Sequence, residues 1–344
     1  MKLAKIFCAM MLAVFAAALS GCGSSALSLD NSVRKSVAVC FPNLTPSWQR
    51  NGAAMQQLLE EEGFTVDIYY TGKAEEQAEQ LRSAIAKKPG CIVIGALGTD
   101  DQYVDVLAEA KKLKVPVIAF DRVITSSDAV SYYASFDNGA IGEGMGEYLE
   151  TALGLKSGSG PYNIELFAGG QDDNNAHVFF EKTMAVLEPY FRSGQLVCRS
   201  GQTTFDKVYV ADWVSENARP RIKQLLSQYY TDTPLQVVLS PNDDIAGVIL
   251  SEFSAAGKPA PVISGLDGDP AAYQRIREGT QTFTIAKDAN VLTAKCVRMI
   301  KAVVEGTQPD INDVTTYKNG DRVIPAYLCT PQIVDKTNVD IVAK

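Results

Sequence analysis

Asp121 and Arg122 close a short apolar run, Val117 to Phe120, with a carboxylate beside a guanidinium. Carboxylate oxygens accept hydrogen bonds, and a guanidinium donates a planar fork of them. Side by side at the end of a buried strand, the pair can grip vicinal hydroxyls of a neutral, polar ligand. A plain surface ion pair would read the same way on this stretch alone. The ending recurs, however. Phe167-Ala168 leads into Gly169-Gly170 and then Asp172-Asp173-Asn174-Asn175. Leu239 gives way to Ser240-Pro241-Asn242-Asp243-Asp244, Ser264 to Gly265-Leu266-Asp267, and Ile285 to Ala286-Lys287-Asp288. Asp and Asn favour helix N-caps, so capping accounts for some of these residues. It does not account for the amine of Lys287, and it is a poor fit for Asn242 between Pro241 and Asp243. Repeated polar endings on one crevice edge point to a ligand site. The two tryptophans, Trp48 and Trp213, stand in loop-like stretches beside polar residues. An indole is a flat apolar surface with one polar handle. Sugar rings have apolar C–H faces, so the pair could sandwich a pyranose. Each could instead pack its loop against its own domain.

Those endings need strands to carry them. Apolar runs at 37–41, 64–70, 91–95 and from Val115 alternate with helical patterns at 46–62, 74–88 and 101–114. In the first helix, Met55, Leu58 and Leu59 share a face, and Gly63 is a natural stop. This β-α alternation is the signature of a parallel sheet with right-handed crossovers. In such sheets ligands bind outside the carboxyl ends of the strands. The rhythm restarts after Asn138, with strands at 162–167, 196–199, 235–239, 262–264 and 282–285. Helices are expected at 141–153, 174–190, 214–229, 243–256, 269–279 and 289–305, then short strands around the turn Lys318-Asn319-Gly320-Asp321.

The chain opens Met1-Lys2-Leu3-Ala4-Lys5, runs apolar from Ile6 to Leu19, and then reads Leu19-Ser20-Gly21-Cys22. A basic start, a short apolar core and a small-residue site make a secretory signal over 1–21. Leu-Ser-Gly-Cys also looks like a bacterial lipobox, with Cys22 as the lipidated residue and 22–32 as a tether. The expected location is the outer face of a membrane, held by that lipid. Roughly 320 residues follow, enough for two ordinary domains. A formal charge of -8 and a pI near 4.9 argue against a nucleic-acid partner, which would favour a basic face. Cys40, Cys91, Cys198, Cys296 and Cys329 have no paired spacing, so they read as small buried hydrophobes and not as a disulfide framework. One histidine, His177, and no Cys-x-x-Cys make a zinc site unexpected.

A specific family resemblance rests on five segments in order. They are Phe120-Asp121-Arg122-Val123-Ile124, Ser131-Tyr132-Tyr133-Ala134-Ser135-Phe136-Asp137-Asn138, Asp173-Asn174-Asn175-Ala176, Ser240-Pro241-Asn242-Asp243 and Gly265-Leu266-Asp267. Over nearly all of its mature length the chain resembles the type I periplasmic sugar-binding proteins, in particular the D-xylose-binding and multiple-monosaccharide-binding lipoproteins. These are substrate-binding subunits of ABC importers. The resemblance implies an α/β fold: two doubly wound parallel-sheet domains joined by three hinge crossings, near 138, 288 and 313. One lobe would take 33–138 plus 289–312, the other 139–288 plus 313–344. It implies that Trp48 and Trp213 stack on the sugar and that Asp121 and Arg122 bind hydroxyls and the ring oxygen. Asn175, Asn242, Asp267 and Lys287 would hold the remaining hydroxyls. The implied partners are a monosaccharide and a membrane permease with its cytoplasmic ATPase, and the protein would act as a monomer. No cofactor or structural metal is implied, because the Asp-rich calcium loop of the glucose/galactose binder is absent. Two departures bear on specificity. Ser47 stands where the xylose binder has Arg, and Phe180 where it has a basic residue.

Other functions fit the sequence less well. Paired carboxylates can cleave glycosides, yet the chain has no nucleophile elbow, metal cluster or phosphate loop. A repressor of this fold needs a helix-turn-helix ahead of its core, where this chain has an export signal. A sugar sensor or chemoreceptor ligand-binding protein remains compatible, as does a binder of another small polar ligand such as a furanose.

Overall fold

Strands burying both faces dictate the first lobe. In this computed structural model, which describes residues 35–43, 45–319 and 322–343, the chain alternates strand and helix from its first described element. The elements are β1 (Ser36–Pro42), α1 (Pro46–Glu61), β2 (Thr65–Thr71), α2 (Ala74–Ala86), β3 (Cys91–Ile94), α3 (Val104–Lys112), β4 (Val117–Phe120) and β5 (Val130–Phe136). Every residue of β3 and β4 is buried, as expected of parallel strands covered on both sides. Alternate side chains serve two cores. Val37, Val39 and Phe41 pack with Met55 and Leu59 of α1. Ala38 and Cys40 pack with Leu81 and Ile85 of α2 and with Val106 and Leu107 of α3. The segment 130–136, not assigned a strand from its pattern, becomes β5 by pairing in parallel with β4. The export signal, Cys22 and the tether lie outside the described residues.

The second lobe repeats the scheme. It holds α4 (Asn138–Ala152), β6 (Tyr162–Leu166), α5 (Asn174–Arg192), β7 (Leu196–Val197), α6 (Arg219–Gln228) and β8 (Val237–Leu239). After these come α7 (Asp243–Ala255), β9 (Val262–Ile263), β10 (Leu266–Asp267), α8 (Pro270–Glu278) and β11 (Phe283–Ala286). The chain then passes through α9 (Ala289–Glu305), β12 (Lys318–Asn319), β13 (Arg322–Val323), β14 (Ala326–Cys329) and β15 (Gln332–Asp335).

The first sheet runs β14-β5-β4-β3-β1-β2, and the second lobe has ladders β7-β6-β8-β9 and β10-β11-β15. Both lobes therefore start with a 2-1-3 strand order, the arrangement that opens a crevice at the strands' carboxyl ends. The chain crosses between lobes at 137–138 and again at 287–288, where β11 gives way to α9 and that helix packs on α1. The third crossing is not near 313. Ala326–Cys329 adds to the first sheet in parallel with β5, and only β15 pairs with β11. Tyr317 holds the intervening segment on the first lobe by an edge contact to Tyr133, ring centroids 4.7 Å apart. The chain thus leaves the first lobe between Cys329 and Gln332, and 313–329 belongs with that lobe. A polar, turn-rich tail carried no periodicity that would reveal this pairing.

The thiols are buried or half-buried. Cys40, Cys91, Cys296 and Cys329 are buried and free, and burial pushes the Cys40 thiol up to about 12.

Candidate functional site: an interlobe cavity

Trp48, Asp121, Arg122, Asn175, Trp213, Asn242, Asp267 and Lys287 all line one cavity between the lobes. Its water-accessible space is about 80 Å³. One water needs about 10–15 Å³ of such space, so the cavity suits several waters or one compact ligand. Thr45, Ser47, Arg50, Asn51, Asp173 and Phe179 add to the walls.

Each indole is seated on a glycine. A Cβ on Gly95, just past β3, would lie 2.4 Å from the Trp48 ring. A Cβ on Gly169, past β6, would lie 2.2 Å from the Trp213 ring. Trp48 is only 6% exposed, with ring centroids 5.2 Å from Phe41 and 6.3 Å from Phe120. It is therefore both a core residue of its own lobe and a wall of the cavity. Trp213 is half-buried and follows Asp212, both in the left-handed region at φ 60° and 55°. Its Nε1 donates to Asp173 Oδ2 at 3.1 Å.

Asp121 stands at the end of β4 with φ 60°, a region where Asp is enriched among non-glycine residues. Its amide donates to the Ala134 carbonyl at 2.8 Å. Its own carbonyl accepts from the Tyr133 hydroxyl, from Ser135 Oγ at 3.2 Å and from Asn175 Nδ2 at 2.9 Å. That last bond crosses the cleft. Arg122 donates to the Ala96 carbonyl at 3.2 Å, lies over the Trp48 ring at 5.9 Å, and faces Asp173 Oδ2 at 3.4 Å.

Lys287 joins the lobes from the other side. Its Nζ lies 2.6 Å from Asp121 Oδ1 and 4.0 Å from Asp267 Oδ1. Burial works to lower the pKa of this ammonium, but Asp121 and Asp267 outweigh it and hold the amine above its usual range. One ammonium cannot serve both carboxylates equally. Asp267, the more distant, is pushed up to about 7 by burial, with Lys287 opposing and nearby Asp269, Asp121 and Asp244 adding to the rise. Unfolded, Asp titrates near 3.9. Between that value and about 7 the folded state holds the extra proton, so this group's contribution falls as pH rises through the window. Asp267→Asn should therefore raise the ligand-free melting temperature more at pH 8 than at pH 5. The expected difference is about 2.7 kcal/mol, two pH units at about 1.4 kcal/mol each, which for a chain of this length is roughly 4 °C. Equal shifts at both pH values in thermal melts would refute the assignment.

Two residues are more committed to protein contacts than the sequence suggests. Asn242 is the N-cap of α7, its Oδ1 accepting from the Ile245 amide at 2.9 Å. Capping thus does explain Asn242, and its Nδ2 is what remains for the cavity. Asn175 accepts from Asn138 Nδ2 at 2.7 Å while donating to Asp121, which leaves it one N–H. Phe180 does not line the cavity. It packs edge-on against Phe205, centroids 5.7 Å apart, and Phe179 faces the cavity instead. The exposed His177 stacks on Phe205 at 3.9 Å.

Sequence reasoning missed Asp173. This buried carboxylate caps α5 through the Asn175 amide at 2.9 Å and ties Arg122 to Trp213. It also missed the exposed ion pair of Arg50 with Asp269, which spans the cleft mouth. Position at a strand's carboxyl end was a signal for Asp173; nothing in the sequence paired Arg50 with a residue 219 positions away.

A family model described as a periplasmic binding protein domain matches residues 37–308. The chain belongs to this family. Among relatives of this periplasmic binding protein, the multiple sugar-binding periplasmic receptor ChvE of Rhizobium radiobacter is 39% identical over 312 residues, covering 88% of each chain. The D-xylose-binding periplasmic protein of Escherichia coli is 31% identical over 295 residues, covering 85% of this chain and 84% of its own. Among solved structures, an ABC transporter solute-binding protein from Clostridium phytofermentans with bound β-D-glucose has a TM-score of 0.86 at 37% identity. It covers 90% of this chain and 97% of its own.

Proposed function

We propose that this periplasmic binding protein captures a neutral aldopyranose, with glucose the first candidate and galactose and xylose next. It would deliver the sugar to an ABC permease and its cytoplasmic ATPase. The observation that carries the reading is the cavity itself, with two glycine-seated indoles and polar groups from both lobes lining one space. The similarity to a glucose-bound solute-binding protein supports glucose. Trp48 and Trp213 would cover the ring faces. Asp121, Arg122, Asn175, Asn242, Asp267 and Lys287 would meet its hydroxyls. Each hydroxyl missing from the wrong sugar would leave a buried group unpaired, at about 1–3 kcal/mol.

Charge balance favours a neutral ligand. Arg122 faces Asp173 and Lys287 faces Asp121, while Asp267 is the less neutralised carboxylate. A uronate or sugar phosphate would add negative charge beside it. A sugar bridging both lobes would favour closure about the three crossings, to the extent that it binds the closed form better. Cys22 would carry a lipid that holds the protein at the outer face of the membrane, where it would act as a monomer without turnover of the sugar. A signalling role is the second reading, favoured by the name receptor for the Rhizobium relative. A pull-down of membrane partners with sugar-loaded protein separates the two.

Calorimetric titration with glucose, galactose, xylose, glucuronate and glucose 6-phosphate tests the proposal. Binding of at least one neutral aldose and neither anion is expected; no binding by any neutral sugar refutes it. Ser47→Arg should fill cavity volume and weaken hexose binding about tenfold, through overpacking of about 1–3 kcal/mol. Unchanged glucose affinity would remove Ser47 from the wall.

A further inference from the structure

We infer that Asp243 is a positioning residue for sugar binding, whose buried carboxylate fixes the 265–269 turn that presents Asp267 to the cavity and Asp269 to the opposite lobe. The inference rests on the sugar-binding reading above. Asp243 is 1% exposed and, among the described residues, its carboxylate has no ion-pair partner. The neighbouring guanidinium, Arg275, is spent on the Asp243 main-chain carbonyl at 2.8 Å and on Gln281 Oε1 at 2.9 Å. A carboxylate buried without a cation is costly, so its hydrogen bonds show what it is for. Oδ2 accepts from the amides of Gly268 at 2.9 Å and Asp269 at 3.0 Å and from Thr284 Oγ1 at 2.9 Å. Oδ1 accepts from Gln281 Nε2 at 2.7 Å.

The turn itself explains the need. Asp267 and Gly268 both have positive φ, 94° and 74°. Successive amides after such a turn converge on one point, as in an anion-binding nest. Here the chain's own carboxylate fills that point. Gly265 completes the fit, since a Cβ there would lie 1.9 Å from Asp243 Oδ1. The strained conformation that aims Asp267 into the cavity is held by a residue that does not itself line it. The same turn sets Asp269 against Arg50 across the cleft.

The test starts from Asp243→Asn. The substitution places an NH₂ against either the amides or Gln281 Nε2, and Gln281 cannot rotate to help because Arg275 holds its Oε1. Adding Gln281→Glu supplies an acceptor for that NH₂ and keeps one for Arg275, while giving up the 3.2 Å bond that Gln281 Nε2 also donates to the Phe283 carbonyl. Titration with glucose and amide hydrogen exchange at Gly268 and Asp269 are measured together. In the single variant, glucose should bind roughly tenfold more weakly or worse, and the two amides should exchange at least tenfold faster. Both should return to within about threefold in the double variant. In an Asp267→Asn background, Asp243→Asn should cost less than about threefold more, because residues acting through one another are not additive. A folded Asp243→Asn protein with wild-type glucose affinity overturns the inference, as does a loss undiminished in the Asp267→Asn background. Should Asp243→Asn not fold, Thr284→Val removes one donor, and glucose affinity unchanged there also overturns it. Failure of the wild-type protein to bind any sugar in the same titration sinks the sugar reading instead.

Discussion

Replacing Trp213 by alanine is expected to weaken glucose binding at least tenfold with the fold left intact, whereas the same change at Trp48 is expected to cost binding and stability together. The difference follows from where each indole sits. Trp48 is almost wholly buried among Phe41 and Phe120 of its own lobe. Trp→Ala in a packed core costs about 3–5 kcal/mol, so a Trp48→Ala protein should melt well below the wild type. Trp213 is half-buried on a short connection, seated on Gly169 and tied by one hydrogen bond to Asp173. Its removal uncovers the cavity and takes one partner from Asp173, which keeps Arg122 and the Asn175 amide, while the ring is only partly buried against the second-lobe core. Calorimetric titration and thermal melts on the two variants separate the effects. Wild-type affinity in both would show that neither ring covers a sugar.

The larger loss is expected from Lys287→Met, about a hundredfold or more in glucose affinity. The amine is the link between Asp121 of one lobe and Asp267 of the other. Removing one partner of a buried pair costs about 3–5 kcal/mol because the other charge is left uncompensated. A hundredfold is about 2.7 kcal/mol. Without the ammonium, Asp267 loses the charge that opposes its rise to about 7, so the ligand-free variant should gain stability on acidification from pH 8 to 5.5 by more than the wild type does. Binding within threefold of wild type would mean that Lys287 is a surface tie and not part of the site.

The sheet-forming half of the fold was legible because parallel strands covered on both faces leave unbroken apolar runs. Val117–Phe120 and Cys91–Ile94 are wholly buried, and their endings marked the crevice. β5 hid because Tyr132, Tyr133 and Ser135 interrupt its apolar run. β14 fell among the expected short strands of the tail, but its pairing with β5 hid because the partner is almost two hundred residues away, and pairing over that distance leaves no local mark. Asp121, Arg122, Asn242 and Lys287 were readable by type and place, since they come just after β4, β8 and β11. The site's hydrogen bonds were not: the cap at Asn242, the engagement of Asn175 by Asn138, and the bridge through Asp173 all depend on side chains from elements far apart in the chain.

On the proposed sugar-binding reading, the glycine seats beneath the two indoles would divide the labour of recognition. With no room to retreat, each aromatic plane stays at a set depth in its own lobe, so in the closed protein the gap between them would gauge ring thickness, a property that pyranoses share. Discrimination is then left to the polar perimeter. Widening or narrowing the gauge at Gly95 or Gly169 should rescale every sugar alike, while edits to the perimeter re-rank them. A lineage could therefore change its diet without rebuilding the slot.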